Sequence, residues 1–259
     1  MTTTWDPVQY DRYKTYRDRP ALDLMVQLPA DLQPREIWDL GCGTGEHAAL
    51  LSRRHPGARV RGLDSSAEML AVARARPEDV AWVQGSIADW TPDVAPDLIF
   101  TNAALQWVPD HPALFPRLVS TLRSGGIFAC QVPDAHSAGW YELMRETIET
   151  SPQADRLRAA PGVRPLLTVD AYYDLLSPLC GGVDIWSTTY LHVLSGEDPV
   201  VDWMLGTGLR PYLQALSSDA ERRAFLADYR ARVSAAFPQR ADGATLFPFP
   251  RLFLLARRR

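Results

Sequence analysis

Residues 37–45, Ile-Trp-Asp-Leu-Gly-Cys-Gly-Thr-Gly, constrain the fold of this chain more than any other stretch. An apolar run carries an acid, Asp39, near its end. Glycines follow at every second position, Gly41, Gly43 and Gly45, and Glu46-His-Ala-Ala-Leu-Leu then begins a helical pattern. Glycine adopts positive φ without a Cβ clash and lets backbone approach a ligand closely. A strand, a glycine turn and a helix in that order predict a nucleotide-type pocket at the carboxyl end of a parallel strand.

The spacing selects among nucleotides. The G-x-G-x-x-G fingerprint of pyrophosphate binding asks for a third glycine at position 46, where this chain has Glu46, whose charge repels a pyrophosphate. The G-x-G-x-G spacing behind Asp39 instead resembles motif I of class I methyltransferases. That resemblance implies S-adenosylmethionine, which carries no phosphate. A second strand, Ala58 to Leu63, ends in Asp64, 19 residues beyond Gly45, where an acid is expected to grip a ribose diol. A carboxylate accepts from two vicinal hydroxyls at once. Ser65 or Ser66 is placed to cap the next helix. A third strand, Val80 to Gln84, leads into Gly85-Ser-Ile-Ala-Asp89-Trp90. Under the same resemblance Asp89 accepts from the adenine amino group while a flanking side chain packs on the ring; the alternative is a turn or cap acid. A fourth strand, Asp97 to Phe100, runs into Thr101-Asn102-Ala-Ala-Leu-Gln106-Trp107, which in methyltransferases faces the transferable methyl.

At 259 residues, with 46% hydrophobic and 22% charged content, the chain is long enough for a doubly wound domain with insertions and ordinary for a globular protein. No apolar run approaches the roughly 20 residues that span a bilayer. The opening Met-Thr-Thr-Thr-Trp-Asp has neither the basic nor the apolar region of an export signal, so a cytoplasmic protein is expected. Cys42, Cys130 and Cys180 are scattered, outside any metal spacing, and read as buried thiols of a reducing compartment. A formal net charge of −4 with no basic tail argues against nucleic acid as a partner. Lys14 is the single lysine, so an anion site here must use arginine, histidine or backbone N–H groups.

Ahead of the first strand, residues 6–28 predict one or two helices broken near Arg19-Pro20. Helical patterns at 46–54, 66–75 and 112–123 follow the strands, and Ser124-Gly125-Gly126 turns into a fifth strand, Ile127 to Val132. Helices are expected near 137–150 and 168–178, a sixth strand over Gly181 to His192, helices within 197–240, and a last strand over Phe249 to Ala256. The expected organisation is one domain over 1–259. It has a helical cover at 1–30, a cofactor-binding core at 31–135, a helical segment at 136–180 and a helical insertion at 197–240. Excursions of that size usually build a lid or substrate wall.

Beyond the glycine turn, the chain is similar nearly end to end to the trans-aconitate 2-methyltransferase family. The likeness is carried by Trp5-Asp-Pro, Arg19-Pro20, Gly62-Leu-Asp-Ser-Ser66, the run from Asp97 to His111, and Leu114-Phe-Pro116. Narrower strings lie outside the cofactor half: Val183-Asp-Ile-Trp-Ser-Thr-Thr-Tyr190-Leu-His192, Asp202-Trp203, Thr207-Gly-Leu-Arg-Pro211 and Phe249-Pro-Arg-Leu-Phe253. Thr44 departs from the family, which often has proline there. The resemblance implies an α/β, Rossmann-like three-layer sandwich with a seven-stranded, mostly parallel sheet. It implies methyl transfer from S-adenosylmethionine to one carboxylate of trans-aconitate, giving a monomethyl ester and S-adenosylhomocysteine. It implies a cofactor site lined by Asp39, Gly41, Cys42, Gly43, Gly45, Asp64, Ser65, Asp89 and Asn102, with Gln106 and Trp107 near the methyl. No metal, nucleic acid or membrane is implied, and the chain is expected to work as a monomer or a homodimer.

A carboxylic acid of pKa about 4 is already ionised at neutral pH and needs no general base. That suits a sequence with no acid–base pair after the fourth strand. The remaining tasks are to align oxygen, methyl carbon and sulfur, which can supply roughly 7–11 kcal/mol, and to exclude water. A tricarboxylate loses its hydration on entry, and arginine replaces it best through paired charge-assisted hydrogen bonds. The candidates are Arg210 and Arg19, with Tyr190, His192, Tyr10 and Trp107 as donors or walls. Each has a plainer alternative: a helix-end cation for Arg210, a solvated charge for Arg19, satisfied strand residues for Tyr190 and His192, and a turn cap for Gln106. Two other readings stay open. One is methyl transfer to another small acid, amine or hydroxyl; the other is a protein that binds S-adenosylmethionine without turnover.

Overall fold

The computed structural model describes residues 14–135, 138–162 and 166–259. In chain order the first half contains α1 (Lys14–Val26), β1 (Glu36–Leu40), α2 (Glu46–Arg54), β2 (Arg59–Asp64), α3 (Ala67–Ala73), β3 (Val80–Gln84), β4 (Leu98–Asn102), a 3-10 turn (Leu105–Trp107), α4 (His111–Thr121) and β5 (Ile127–Pro133). The second half contains α5 (Gly139–Thr150), α6 (Ala154–Arg158), α7 (Val169–Leu176), β6 (Cys180–Ser195), α8 (Pro199–Leu205), α9 (Arg210–Ala215), α10 (Asp219–Ala236) and β7 (Ala244–Arg258). The chain divides into two compact units. The larger holds Lys14–Pro133, Leu167–Thr188 and Arg251–Arg259; the smaller is built on Asp134–Leu166 and Thr189–Pro250.

Seven strands form one sheet in the order β3-β2-β1-β4-β5-β7-β6. β1 pairs in parallel with both β2 and β4, β2 with β3, and β4 with β5, whereas β7 runs antiparallel to β5. All five residues of β1 are buried, as are all five of β4, which fits strands covered on both faces. For parallel strands in this order, the right-handed crossover rule places α2 and α3 on one face and α4 on the other. The strand order reverses between β1 and β4, and ligands bind outside the carboxyl ends of strands at such a switch point. At the opposite end Asp97 accepts from the N–H groups of Arg35 (2.8 Å) and Glu36 (2.9 Å) and from Arg123 (2.7 Å), pinning the starts of β1 and β4.

Two expectations change. The helix break at Arg19-Pro20 is not there: α1 runs through Pro20 to Val26. Proline removes one N–H and crowds the carbonyl four residues back. The burial of Ala21, Leu24 and Met25 holds the helix together regardless. The last two strands are longer than their apolar runs, at 16 and 15 residues, and each passes from one unit into the other. Along β6 the alternation continues past His192, with Leu191 and Val193 exposed and Leu194 buried. The 197–240 segment is three helices, interrupted around Gly206 and at Ser218, whose hydroxyl caps α10 by accepting from Glu221 N–H at 3.2 Å.

In the smaller unit α10 packs on α5, with Arg232 3.1 Å from Glu146 and the Tyr229 hydroxyl 3.5 Å from Trp140 O. Its core is aromatic: Trp140 stacks on Phe249 (5.4 Å) and His192 on Trp203 (4.7 Å), with Phe247 against both Trp203 and Phe249. Among the described residues no helix is long and apolar enough to cross a membrane.

Candidate cofactor and substrate site

β1 delivers Asp39 near its carboxyl end, and the chain then turns through Gly41 (φ 78°), Gly43 (φ 54°) and Gly45 (φ 84°). The three glycines have different surroundings. A Cβ on Gly41 would stand 2.2 Å from Ala104 Cβ and one on Gly45 2.5 Å from the Trp82 ring, whereas one on Gly43 would meet none of the described residues within 4 Å. Gly41 and Gly45 are therefore packed, and among the described residues Gly43 borders open space. Leu63 O fixes the turn by accepting from the N–H groups of Gly41 (2.8 Å) and Cys42 (3.0 Å). Arg76 fixes it from the far side, donating to Thr44 O at 2.6 Å and pairing with Glu46. That pairing partly neutralises Glu46, so the case against a pyrophosphate rests on the glycine spacing.

Asp64, at the end of β2, accepts from Gly43 N–H (2.8 Å) through one oxygen and from Ser66 N–H (2.9 Å) through the other. Each oxygen keeps a lone pair, so the carboxylate ties the glycine turn to β2 and retains capacity for a vicinal diol. Ser66, not Ser65, caps α3, accepting from Met69 N–H at 3.2 Å; Ser65 is exposed. Asp39 is only 1% exposed, and its Oδ2 is buried without a hydrogen-bond partner. Burial pushes its pKa up to about 7; neighbouring Asp64 adds to the rise, and His47 and the Ala48 N–H oppose it. Burial likewise pushes the Cys42 thiol up, with Asp39 adding to it, so Cys42 is no nucleophile.

In the loop after β3, Trp90 turns inward and meets Trp38 edge-on at 5.2 Å. The side chain facing the glycine turn is Ile87, whose Cδ1 lies 3.6 Å from where a Gly41 Cβ would be. Asp89 is exposed, and its N–H donates to Ser86 O at 3.2 Å. At the end of β4, Asn102 is buried with its Oδ1 unpartnered. Ala103 then takes φ 53°, a left-handed conformation that costs alanine roughly 1–2 kcal/mol. The strain is held in place: Ala103 N–H donates to Gln131 O (2.9 Å), and Ala103 O accepts from Gln106 Nε2 (2.7 Å). Gln106 thus caps the turn.

Sequence reasoning missed the residues that support this turn from a distance. His111 Nε2 lies 2.9 Å from Leu105 O, which only accepts, so that nitrogen carries the proton and Nδ1 accepts from the Tyr172 hydroxyl at 2.6 Å. Burial lowers the His111 pKa, which keeps the ring neutral, as this pairing requires. Gln131, in register with Asn102, is fully buried with both amide atoms unpartnered. No local pattern marks any of these; they are long-range neighbours, Tyr172 being 61 residues from His111.

Trp107 closes the 3-10 turn half-buried, its N–H on Ala104 O at 3.1 Å. On α1, Arg19 is 73% exposed and 4.0 Å from Asp23. In the smaller unit Arg210 is half-buried and opens α9. A cation gains nothing from the dipole at a helix amino terminus, so the helix-end reading does not account for it. Tyr190 and His192 are buried on one face of β6, and His192 sits within the aromatic core. Tyr10 lies outside the described residues. Among the described residues no His, Cys, Asp or Glu cluster could hold a metal ion.

Residues 37–126 match the family described as "Methyltransferase domain". A trans-aconitate 2-methyltransferase of Azoarcus sp. (strain BH72) is 47% identical over 255 residues, covering 98% of this chain and 99% of that protein. The chain belongs to the trans-aconitate 2-methyltransferase family. Two solved structures have the same fold. The YcgJ protein of Bacillus subtilis has a TM-score of 0.59 at 18% identity, covering 93% of this chain and 99% of that one. Phosphoethanolamine N-methyltransferase 2 of Haemonchus contortus, in complex with phosphomonomethylethanolamine and S-adenosylhomocysteine, has a TM-score of 0.57 at 14% identity, covering 93% and 53%. The fold is that of class I methyltransferases, with β7 as the antiparallel strand. In this member of the trans-aconitate 2-methyltransferase family, the open side of Gly43, the unpartnered acceptors on Asp39 and Asn102 and the spare capacity of Asp64 fit a cationic, phosphate-free nucleoside such as S-adenosylmethionine.

Proposed function

We propose that this chain methylates one carboxylate of trans-aconitate, giving a monomethyl ester and S-adenosylhomocysteine. The observation that carries the reading is the 47% identity to a trans-aconitate 2-methyltransferase across 98% of the chain, well beyond the shared cofactor half. When bound, S-adenosylmethionine supplies a methyl group activated on a sulfonium sulfur. We assign Asp64 to the ribose diol, Asp89 to the adenine amino group, and Asp39 and Asn102 to the cationic end; Gly41, Cys42, Gly43, Gly45 and Ser65 complete the cradle. The acceptor carboxylate is ionised at neutral pH. His111, held neutral between Tyr172 and Leu105 O, therefore serves to position the turn and not as a base. We assign substrate carboxylates first to Arg210, with Arg19, Tyr190, His192, Tyr10 and Trp107 as further donors or walls.

The test is mass spectrometry of the product formed from methyl-labelled cofactor and trans-aconitate, alongside cis-aconitate, citrate and isocitrate. A labelled monomethyl ester of trans-aconitate is expected. A turnover preference for an uncharged acceptor would discard the carboxylate reading. Cofactor retained without methyl release across all acceptors would leave a binding protein.

Two substitutions test the assignments. Asp64→Ala is expected to weaken cofactor binding by about 2 kcal/mol, the loss of charged hydrogen bonds. Unchanged binding by calorimetry would sink the ribose role. Arg210→Ala is expected to raise KM for trans-aconitate about tenfold or more with little change for the cofactor. Equal changes in both constants would point to a folding role instead.

A further inference from the structure

Arg117 lies on α4 and makes three hydrogen bonds, all to backbone carbonyls of a single loop. They reach Trp90 O at 2.5 Å from Nη1, and Ile87 O at 2.8 Å and Ala88 O at 3.0 Å from Nη2. The side chain thus bridges the helix after β4 and the loop after β3. At its start the loop is held to β2, where Gly85 N–H donates to Asp64 O (2.9 Å). Its other hydrogen bonds are local: Ala88 N–H bonds Ser86 Oγ (3.1 Å), and the N–H groups of Asp89 and Trp90 bond Ser86 O (3.2 Å) and Ile87 O (3.3 Å). Arg117 ties this local turn, residues 86–90, to α4. Its rigid fork suits the task, since one planar cation can take several carbonyls at once, which a lysine ammonium on a flexible stem does poorly. Bonds from a charged donor are also the stronger kind.

The arrangement has a particular outcome. Of residues 87–90, Asp89 alone has a carbonyl that Arg117 does not take, and its side chain is left exposed. Ile87, gripped at its carbonyl, presents its side chain to the glycine turn. We propose that Arg117 is a positioning residue for adenine recognition. It holds the 87–90 loop so that Asp89 meets the exocyclic amino group, and through it the protein selects a 6-amino purine over a 6-oxo purine. The proposal rests on the assignment of Asp89 made above.

The test is calorimetry on the full chain with two probes, S-adenosylhomocysteine and S-inosylhomocysteine, which differ at that exocyclic group. Wild type is expected to prefer the adenine ligand. Asp89→Ala and Arg117→Ala are each expected to cut that preference about tenfold. The double variant should be little worse than either single one, as two residues acting on one interaction require. Arg117→Lys keeps the charge and loses the fork; it should recover part of the preference, and it carries the test if thermal melting shows Arg117→Ala unfolded. If Arg117→Ala weakens both ligands equally while Asp89→Ala loses the preference, Arg117 merely supports the fold and the proposal fails alone. If Asp89→Ala keeps the preference, the assignment of Asp89 fails and takes the proposal with it.

Discussion

Asp39→Asn is expected to stabilise the cofactor-free protein at pH 8 while weakening its hold on S-adenosylmethionine. In the folded chain burial pushes the Asp39 carboxyl up to about 7, from an ordinary value of 3.8. The unfolded chain therefore gives up this proton first. Between about pH 4 and pH 7 the folded state binds more protons, so stability falls as pH rises through that window. Above the folded pKa the penalty is complete, about 4 kcal/mol for a shift of this size. Asparagine removes the charge but brings an amide N–H2 to the place of an Oδ2 that has no partner, which returns about 1–2 kcal/mol. The net gain at pH 8 is then about 2–3 kcal/mol, shrinking as the pH approaches 4. Urea unfolding of both proteins at pH 5 and pH 8 measures it. Cofactor affinity should move the other way, by about tenfold or more, because a neutral amide offers a cation no compensating charge. A stability difference that ignores pH would place the ionised carboxyl in a better-solvated setting than its burial indicates. Destabilisation stored at the site where charge must be met is the usual conflict between stability and function.

The cofactor half was legible because its chemistry is local. The glycines, Asp39 and the start of α2 are contiguous, and the helix at 46–54 and strand at 80–84 fall where the pattern predicts them. Asp64 was legible because it ends the neighbouring strand. The supports were not: Arg76 reaches Thr44 across 32 residues, Arg117 reaches Ile87 across 30, and His111 meets Tyr172 across 61. Nothing in a short window distinguishes those side chains from solvated ones. Which aromatic turns inward was equally hidden, and it was Trp90, leaving Ile87 to face the turn. Pro20 illustrates the reverse error, a strong local signal overruled by the burial of Ala21 and Leu24. The substrate arginines came from narrow strings shared with a family and not from any period or spacing.

Gly43→Ala and Gly41→Ala should separate binding from folding. Both place alanine in left-handed backbone, at φ 54° and φ 78°, at a cost of roughly 1–2 kcal/mol each. At Gly43 the added methyl meets none of the described residues within 4 Å, so against them the backbone term is the whole cost. The same methyl projects into the space through which a ligand in the glycine turn must pass. S-adenosylhomocysteine binding is expected to fall roughly tenfold to a hundredfold, as overpacking of one methyl does in a tight site. At Gly41 the methyl would stand 2.2 Å from Ala104 Cβ, far inside contact distance. Ala104 cannot easily retreat, because the turn that carries it is pinned at Ala103 by Gln131 O and by Gln106. Gly41→Ala should therefore lose about 3–5 kcal/mol of stability, overpacking added to backbone strain. Urea unfolding of both variants, with calorimetry on whichever remains folded, decides the matter. A Gly43→Ala protein that folds and still binds S-adenosylhomocysteine at full strength would mean that the ligand does not pass over this turn, and the assignment of the site to residues 39–45 would go with it.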